Sequence, residues 1–205
     1  MKKRDIFFIA FFCFLIAISF LFDIRIIKIV EKLRNPFLDY FFLIISFFDN
    51  FFIIIFFLSL IFFYNNKKRW ILPILFSGIF SVVSAFFLKI IFKRPRPFQL
   101  GIISLPAVMF YLIKNSYNVW NFSFPSFETM LVFSMLPIIN LEFRKLKKFW
   151  LCFAIIVALS RIYFGMHYLS DVLSGILIGC FIGYLNVYLE KKYFFGKKFA
   201  ERFLR

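Results

Sequence analysis

Histidine occurs once in this sequence, at His167, and cysteine three times, at Cys13, Cys152 and Cys180. All three cysteines lie inside apolar stretches and none has metal-ligand spacing. They read as small buried hydrophobes, with neither a metal cluster nor a disulfide framework indicated. Acidic residues are scarce as well, ten against 26 lysines and arginines. Glycine and proline supply seven each, and no internal repeat or low-complexity linker divides the chain. No hydrophilic stretch is long enough to fold separately, so a single domain over residues 1–205 is expected.

What fills the sequence is apolar side chain. Hydrophobic residues make up 63% of it, with 38 phenylalanines, and the mean hydropathy is +0.89. A soluble domain is closer to half apolar, and one water-soluble core cannot hide this excess, so lipid must solvate much of it. The net charge of +16 would suggest nucleic acid in a soluble protein. Here the charges fall in short blocks between apolar runs, which fits loops facing anionic lipid head groups and no nucleic-acid partner.

The runs cover residues 6–22, 38–63, 70–92, 122–141, 148–165 and 170–190. They predict an all-α fold, an integral membrane bundle of six transmembrane helices. The first run follows Lys2, Lys3 and Arg4 and lacks a small-residue cleavage site, so it reads as an uncleaved signal anchor. The second is over-long and is expected to begin as an interfacial helix after Pro36. Lysines and arginines in alternate loops total sixteen on the side of both termini and ten on the other, which predicts cytoplasmic termini. Within the longest connection, 93–121, the apolar stretch Leu105–Ile113 is too short to span. It is expected either to lie along the interface or to pack on the bundle.

Three polar clusters interrupt the runs, all at span ends on the same predicted side: Lys89 to Pro97, Phe124 to Thr129, and Ser160 to Asp171. Singly, each has an ordinary explanation. Lys89 can snorkel, Arg161 can set topology, and Glu128 can favour a helix N-terminus. Together, ionisable residues at membrane depth point to function. Asp171 follows His167 by four residues, which puts both on one helical face. It can then accept the proton of one ring nitrogen and leave the other as a nucleophile. Lys89, Arg96 and Arg161 are suited to phosphate oxygens. Pro125 suits a first helical position, which would leave the amides of residues 126–128 to cradle the same anion.

These residues resemble a known family. Lys89-x6-Arg96-Pro97, Pro125-Ser126 and Ser160-Arg161-x5-His167-x3-Asp171 look like the three signature motifs of the type 2 phosphatidic acid phosphatase superfamily, over residues 89–171. The resemblance implies a membrane lipid phosphatase that needs no metal or other cofactor and forms a phosphohistidine on His167. It implies phosphoryl binding by Lys89, Arg96, Ser126 and Arg161, and orientation of the nucleophile by Asp171. Six spans and a short chain argue against the soluble vanadium haloperoxidases that share such a site.

The second motif departs from the family's Pro-Ser-Gly-His, reading Pro125-Ser126-Phe127-Glu128. Phe127 keeps a backbone amide for the phosphate but sets a bulky ring beside it. The family's second histidine protonates the leaving group, and three readings of Glu128 in its place are open. It is the general acid, or an ionised residue that positions the cations, or the mark of a chain that binds lipid phosphate without turnover. A phosphomonoester expels an alkoxide that badly needs a proton, whereas a terminal diphosphate expels a lipid phosphate that is already a stable anion. A weakened acid therefore favours a polyprenyl substrate such as undecaprenyl diphosphate. The rivals are a monophosphatase for phosphatidic acid, phosphatidylglycerol phosphate or a lipid A phosphate, and an inactive lipid-phosphate binder or carrier. The expected partners are the phosphorylated lipid and the membrane, with catalysis on the extracytoplasmic face. Asp171, Gly175, Gly179 and Gly183 recur every four residues, a stripe expected to pack inside the bundle and silent on oligomeric state.

Overall fold

The computed structural model describes residues 3–104 and 119–204, all of whose regular elements are helical. The stretch Leu105–Ile113 lies outside the described residues. Helix α1 (Lys3–Lys32) runs ten residues beyond the first apolar run, so Arg25, Lys28 and Lys32 ride on a helix and not in a loop. The second run forms two helices, α2 (Pro36–Phe48) and α3 (Phe51–Tyr64), bent by 63° at Asp49–Asn50. Asn35 and Asn50 start them, each side chain accepting a first-turn amide, from Leu38 and Phe52 respectively.

The remaining long helices are α4 (Ile71–Phe92), α5 (Phe127–Glu142), α6 (Arg144–Tyr163) and α7 (Leu169–Tyr193), followed by the short α8 (Phe195–Phe203). Among the described residues three segments, Ala10–Lys32, Lys68–Leu100 and Leu169–Tyr193, are long and apolar enough to cross a membrane, and the bent α2–α3 pair makes a fourth if it counts as one span. Phe37, Phe52, Phe149 and Phe181 all present more than 60% of their surface outward. Rings exposed on this scale need a lipid solvent. The protein is an integral membrane protein.

Helix α5 is the bundle's centre, with Met130, Leu131, Val132, Met135, Ile138 and Ile139 fully buried, packed chiefly against α7 and α6. The glycine stripe makes that contact. A Cβ on Gly175 would lie 2.7 Å from the Ser126 carbonyl, and Gly179 and Gly183 leave no room for one against Met130 and Ser134. The stripe is thus consumed within the chain, as its spacing indicated. At the end of the bundle away from the three polar clusters, Glu142 accepts from Trp70 Nε1 at 2.7 Å and Lys67 Nζ at 2.6 Å. Buried Glu190 there takes the Gly196 amide at 2.6 Å.

Candidate active site

The three clusters meet at the other end of the bundle. Lys89 closes α4, Glu128 opens α5, Arg161 lies in the last turn of α6, and Asp171 lies in the first turn of α7. His167 sits in the turn between α6 and α7. That turn is shaped by Gly165, whose φ of +67° and contact with Ile103 exclude a side chain. The His167 and Met166 amides then both donate back to the Arg161 carbonyl, at 3.2 and 3.1 Å.

The imidazole is 1% exposed. Its Nδ1 lies 2.6 Å from the Ser123 carbonyl, an acceptor that requires the proton on Nδ1 and leaves a lone pair on Nε2. Nε2 faces Glu128 Oε2 at 3.6 Å, beyond hydrogen-bond reach. That oxygen has no hydrogen-bond partner among the described residues. Burial pushes the imidazole down to about 4, with the Arg96 and Lys89 charges acting in the same sense and Glu128 against it. The ring is therefore neutral near pH 7.

Asp171 corrects an expectation. It stands 3.9 Å from Nδ1, too far to accept its proton, because the Ser123 carbonyl occupies that place. Asp171 acts at one remove. Its Oδ2 receives the Ser123 hydroxyl and, at 2.8 Å, the Tyr168 amide, while Arg94 Nη1 donates to Oδ1 at 2.6 Å. Arg94 in turn pairs with Asp23 of α1 at 2.7 Å and lies 3.9 Å over the Tyr168 ring. Asp23 also accepts the Ser170 amide and hydroxyl, at 3.0 and 2.5 Å. The first helix is thereby tied to the third motif.

Lys89 and Arg96 are held by backbone carbonyls, and Arg161 by side chains. Lys89 Nζ donates to Phe122, and Arg96 donates to Asn121 at 3.1 Å and Trp120 at 2.5 Å, with Met166 Sδ at 3.4 Å. Arg161 donates to Ser160 Oγ through Nε at 3.1 Å and reaches Glu128 Oε1 through Nη1 at 3.9 Å. Its Nη2 meets Asp49 Oδ2 at 2.9 Å and the Ser46 hydroxyl.

Pro125 is not the first residue of the helix. Helix α5 starts at Phe127 with Ser126 as its cap, and the Ser126 amide donates to the Asp171 carbonyl at 3.1 Å. The cradle expected at 126–128 reduces to the first-turn amides of Phe127 and Glu128. The Ser126 hydroxyl is bonded to Thr129 at 2.9 Å. Phe127 turns its ring to Trp120, at 5.5 Å between centroids, where both line an apolar cavity of about 450 Å³ with Phe51, Phe52, Ile79, Val82 and Val83.

The arrangement joins a neutral imidazole, three buried cations and, facing Nε2, the Glu128 carboxylate. It can take the phosphoryl group of an anionic ester onto nitrogen.

A family model, the PAP2 superfamily, matches residues 70–194. The fold is similar to that of the transmembrane PAP2-type phosphatidylglycerolphosphate phosphatase from Bacillus subtilis, with a TM-score of 0.72 and 22% identity over 94% of this chain and 98% of that one. It is also similar to LpxE from Aquifex aeolicus, at a TM-score of 0.57 and 24% identity over 81% and 94%. At these identities the likeness establishes the fold. A bacitracin transport permease protein, BcrC of Bacillus licheniformis, is 46% identical over 57 residues, 28% of either chain.

Proposed function

The chain belongs to the PAP2 superfamily of membrane phosphatases, and we propose that it hydrolyses the terminal phosphate of a polyprenyl diphosphate such as undecaprenyl diphosphate. One observation carries the reading: His167 Nε2 carries the lone pair and faces the site, while Nδ1 is tethered to the Ser123 carbonyl. Nε2 attacks the terminal phosphorus, the nitrogen–phosphorus bond forms, and the bridging phosphorus–oxygen bond breaks to release lipid phosphate. The positive charge left on the ring is shared with the Ser123 carbonyl. Water then attacks the phosphohistidine and releases inorganic phosphate.

Lys89, Arg96 and Arg161, with the amides of Phe127 and Glu128, meet the charge on the phosphoryl oxygens without a metal, as electrostatic stabilisation dominates such reactions. Asp171 is a positioning residue acting through Ser123. The substrate choice rests on the leaving group, since a diphosphate makes little demand on Glu128 as an acid. The apolar cavity beside Phe127 and Trp120 suits a lipid tail. In this reading α5 and α6 also cross, beside the more apolar helices, to make six spans, and the excess of lysine and arginine on the side of the termini supports cytoplasmic termini with the site on the far face.

A lipid panel tests the substrate. Purified protein should release phosphate fastest, by kcat/KM, from polyprenyl diphosphate. Faster release from phosphatidic acid, phosphatidylglycerol phosphate or a lipid A phosphate would replace the choice with a monoesterase. Binding without release from any of them would make the chain a lipid-phosphate binder.

A further inference from the structure

The corner between α2 and α3 has no place in the three motifs, yet it delivers two polar side chains to the site. Residues 38–63 are otherwise almost continuously apolar, and a straight helix would have crossed the membrane there more simply. Instead the chain bends by 63°, ending α2 with the Asp49 amide on the Ile45 carbonyl at 3.1 Å and restarting at Asn50. Ser46 in the last turn of α2 and Asp49, which caps that helix three residues on, both converge on Arg161 Nη2. Asp49 is 4% exposed. A carboxylate this deep is costly unless paired, and its partner is the arginine of the third motif.

We propose that Asp49 is a positioning residue for phosphate binding, which fixes the Arg161 guanidinium so that its Nη1 edge faces the phosphoryl group. Ser160 holds Nε, Ser46 and Asp49 hold Nη2, and Nη1 looks toward Glu128, the carboxylate that faces the His167 lone pair. The Asp49 contact is close without being aligned as a hydrogen bond. Its attraction therefore acts through charge, and Ser46 supplies the aligned acceptor. Two anchors on one nitrogen leave the long arginine side chain a single orientation, and misplacing a binding group by about 1 Å can cost on the order of a hundredfold. The bent helix is thus a device for presenting these two groups.

The inference rests on the phosphatase reading for its purpose, but its test needs no turnover. Binding of inorganic phosphate and of orthovanadate to the purified full-length protein is measured for wild type, Asp49→Ala, Arg161→Ala and the double variant. Asp49→Ala should weaken binding about tenfold or more with little change in thermal midpoint, and should add nothing in the Arg161→Ala background. Asp49→Asn keeps the volume and an acceptor, so it should fall between wild type and Asp49→Ala, and it repeats the cycle if the alanine variant does not fold. Binding within twofold of wild type, losses that multiply in the double variant, or tighter phosphate binding would each overturn the proposal. In the last case Asp49 would be a competitor of phosphate. The phosphatase reading fails separately, if His167→Ala turns over lipid as wild type does.

Discussion

Replacing Glu128 with glutamine separates its two roles, because the carboxylate adjoins both the nucleophile and a phosphate-binding cation. Oε2 lies 3.6 Å from His167 Nε2 and Oε1 lies 3.9 Å from Arg161 Nη1. If Glu128 is the acid, the alkoxide of a lipid monophosphate leaves with a proton from this carboxyl. General acid catalysis typically contributes 10²–10⁴-fold, about 2.7–5.5 kcal/mol at about 1.36 kcal/mol per decade, and Glu128→Gln should lose that much kcat. With a diphosphate the leaving lipid phosphate hardly needs the proton, so kcat should fall less than about tenfold on the same scale. The assay is phosphate release by detergent-solubilised enzyme over a concentration series of phosphatidic acid and of polyprenyl diphosphate. Equal kcat losses on both would refute the reasoning and leave Glu128 as a residue that only positions cations.

Two further outcomes are expected. Because burial lowers His167 to about 4, the imidazole is neutral above that value, and kcat/KM should hold from pH 7 to 5 and fall only as pH drops through about 4. An acid limb near the ordinary histidine value of about 6.5 would contradict the buried, neutral nucleophile. A topology reporter fused after Leu100 should report the extracytoplasmic side, and one after Lys147 the cytoplasm. The reverse pattern would move catalysis to the other face.

The residues legible in the sequence were those that break an apolar run at its end. Lys89, Arg96, Glu128, Arg161, His167 and Asp171 stood out because charge is costly there, and the fold gathers their elements at one end of the bundle. The stripe of Gly175, Gly179 and Gly183 was legible for a similar reason, since spacing of four reports one helical face. Asp49 was not, because an acid in the middle of the run 38–63 looks like a tolerated defect until the helix is seen to bend there. Asp23 and Arg94 carry no signal of their own in the sequence, because their pairing joins residues far apart in it. The acceptor for Nδ1 is a backbone carbonyl, which every residue carries, so no pattern of side chains reveals that Ser123 provides it and Asp171 does not. The start of α5 at Phe127, two residues after Pro125, is likewise set by the tertiary bond from the Ser126 amide to Asp171.

The most direct test of a phosphohistidine enzyme is to catch the phosphoryl group on the protein. Purified protein is mixed with polyprenyl diphosphate labelled in its terminal phosphate, quenched within one turnover in alkali and digested. The label should be acid-labile and base-stable, should map to the peptide carrying His167, and should be absent from His167→Ala. Turnover with no protein-bound label at any quench time, or label that persists in His167→Ala, would contradict the account.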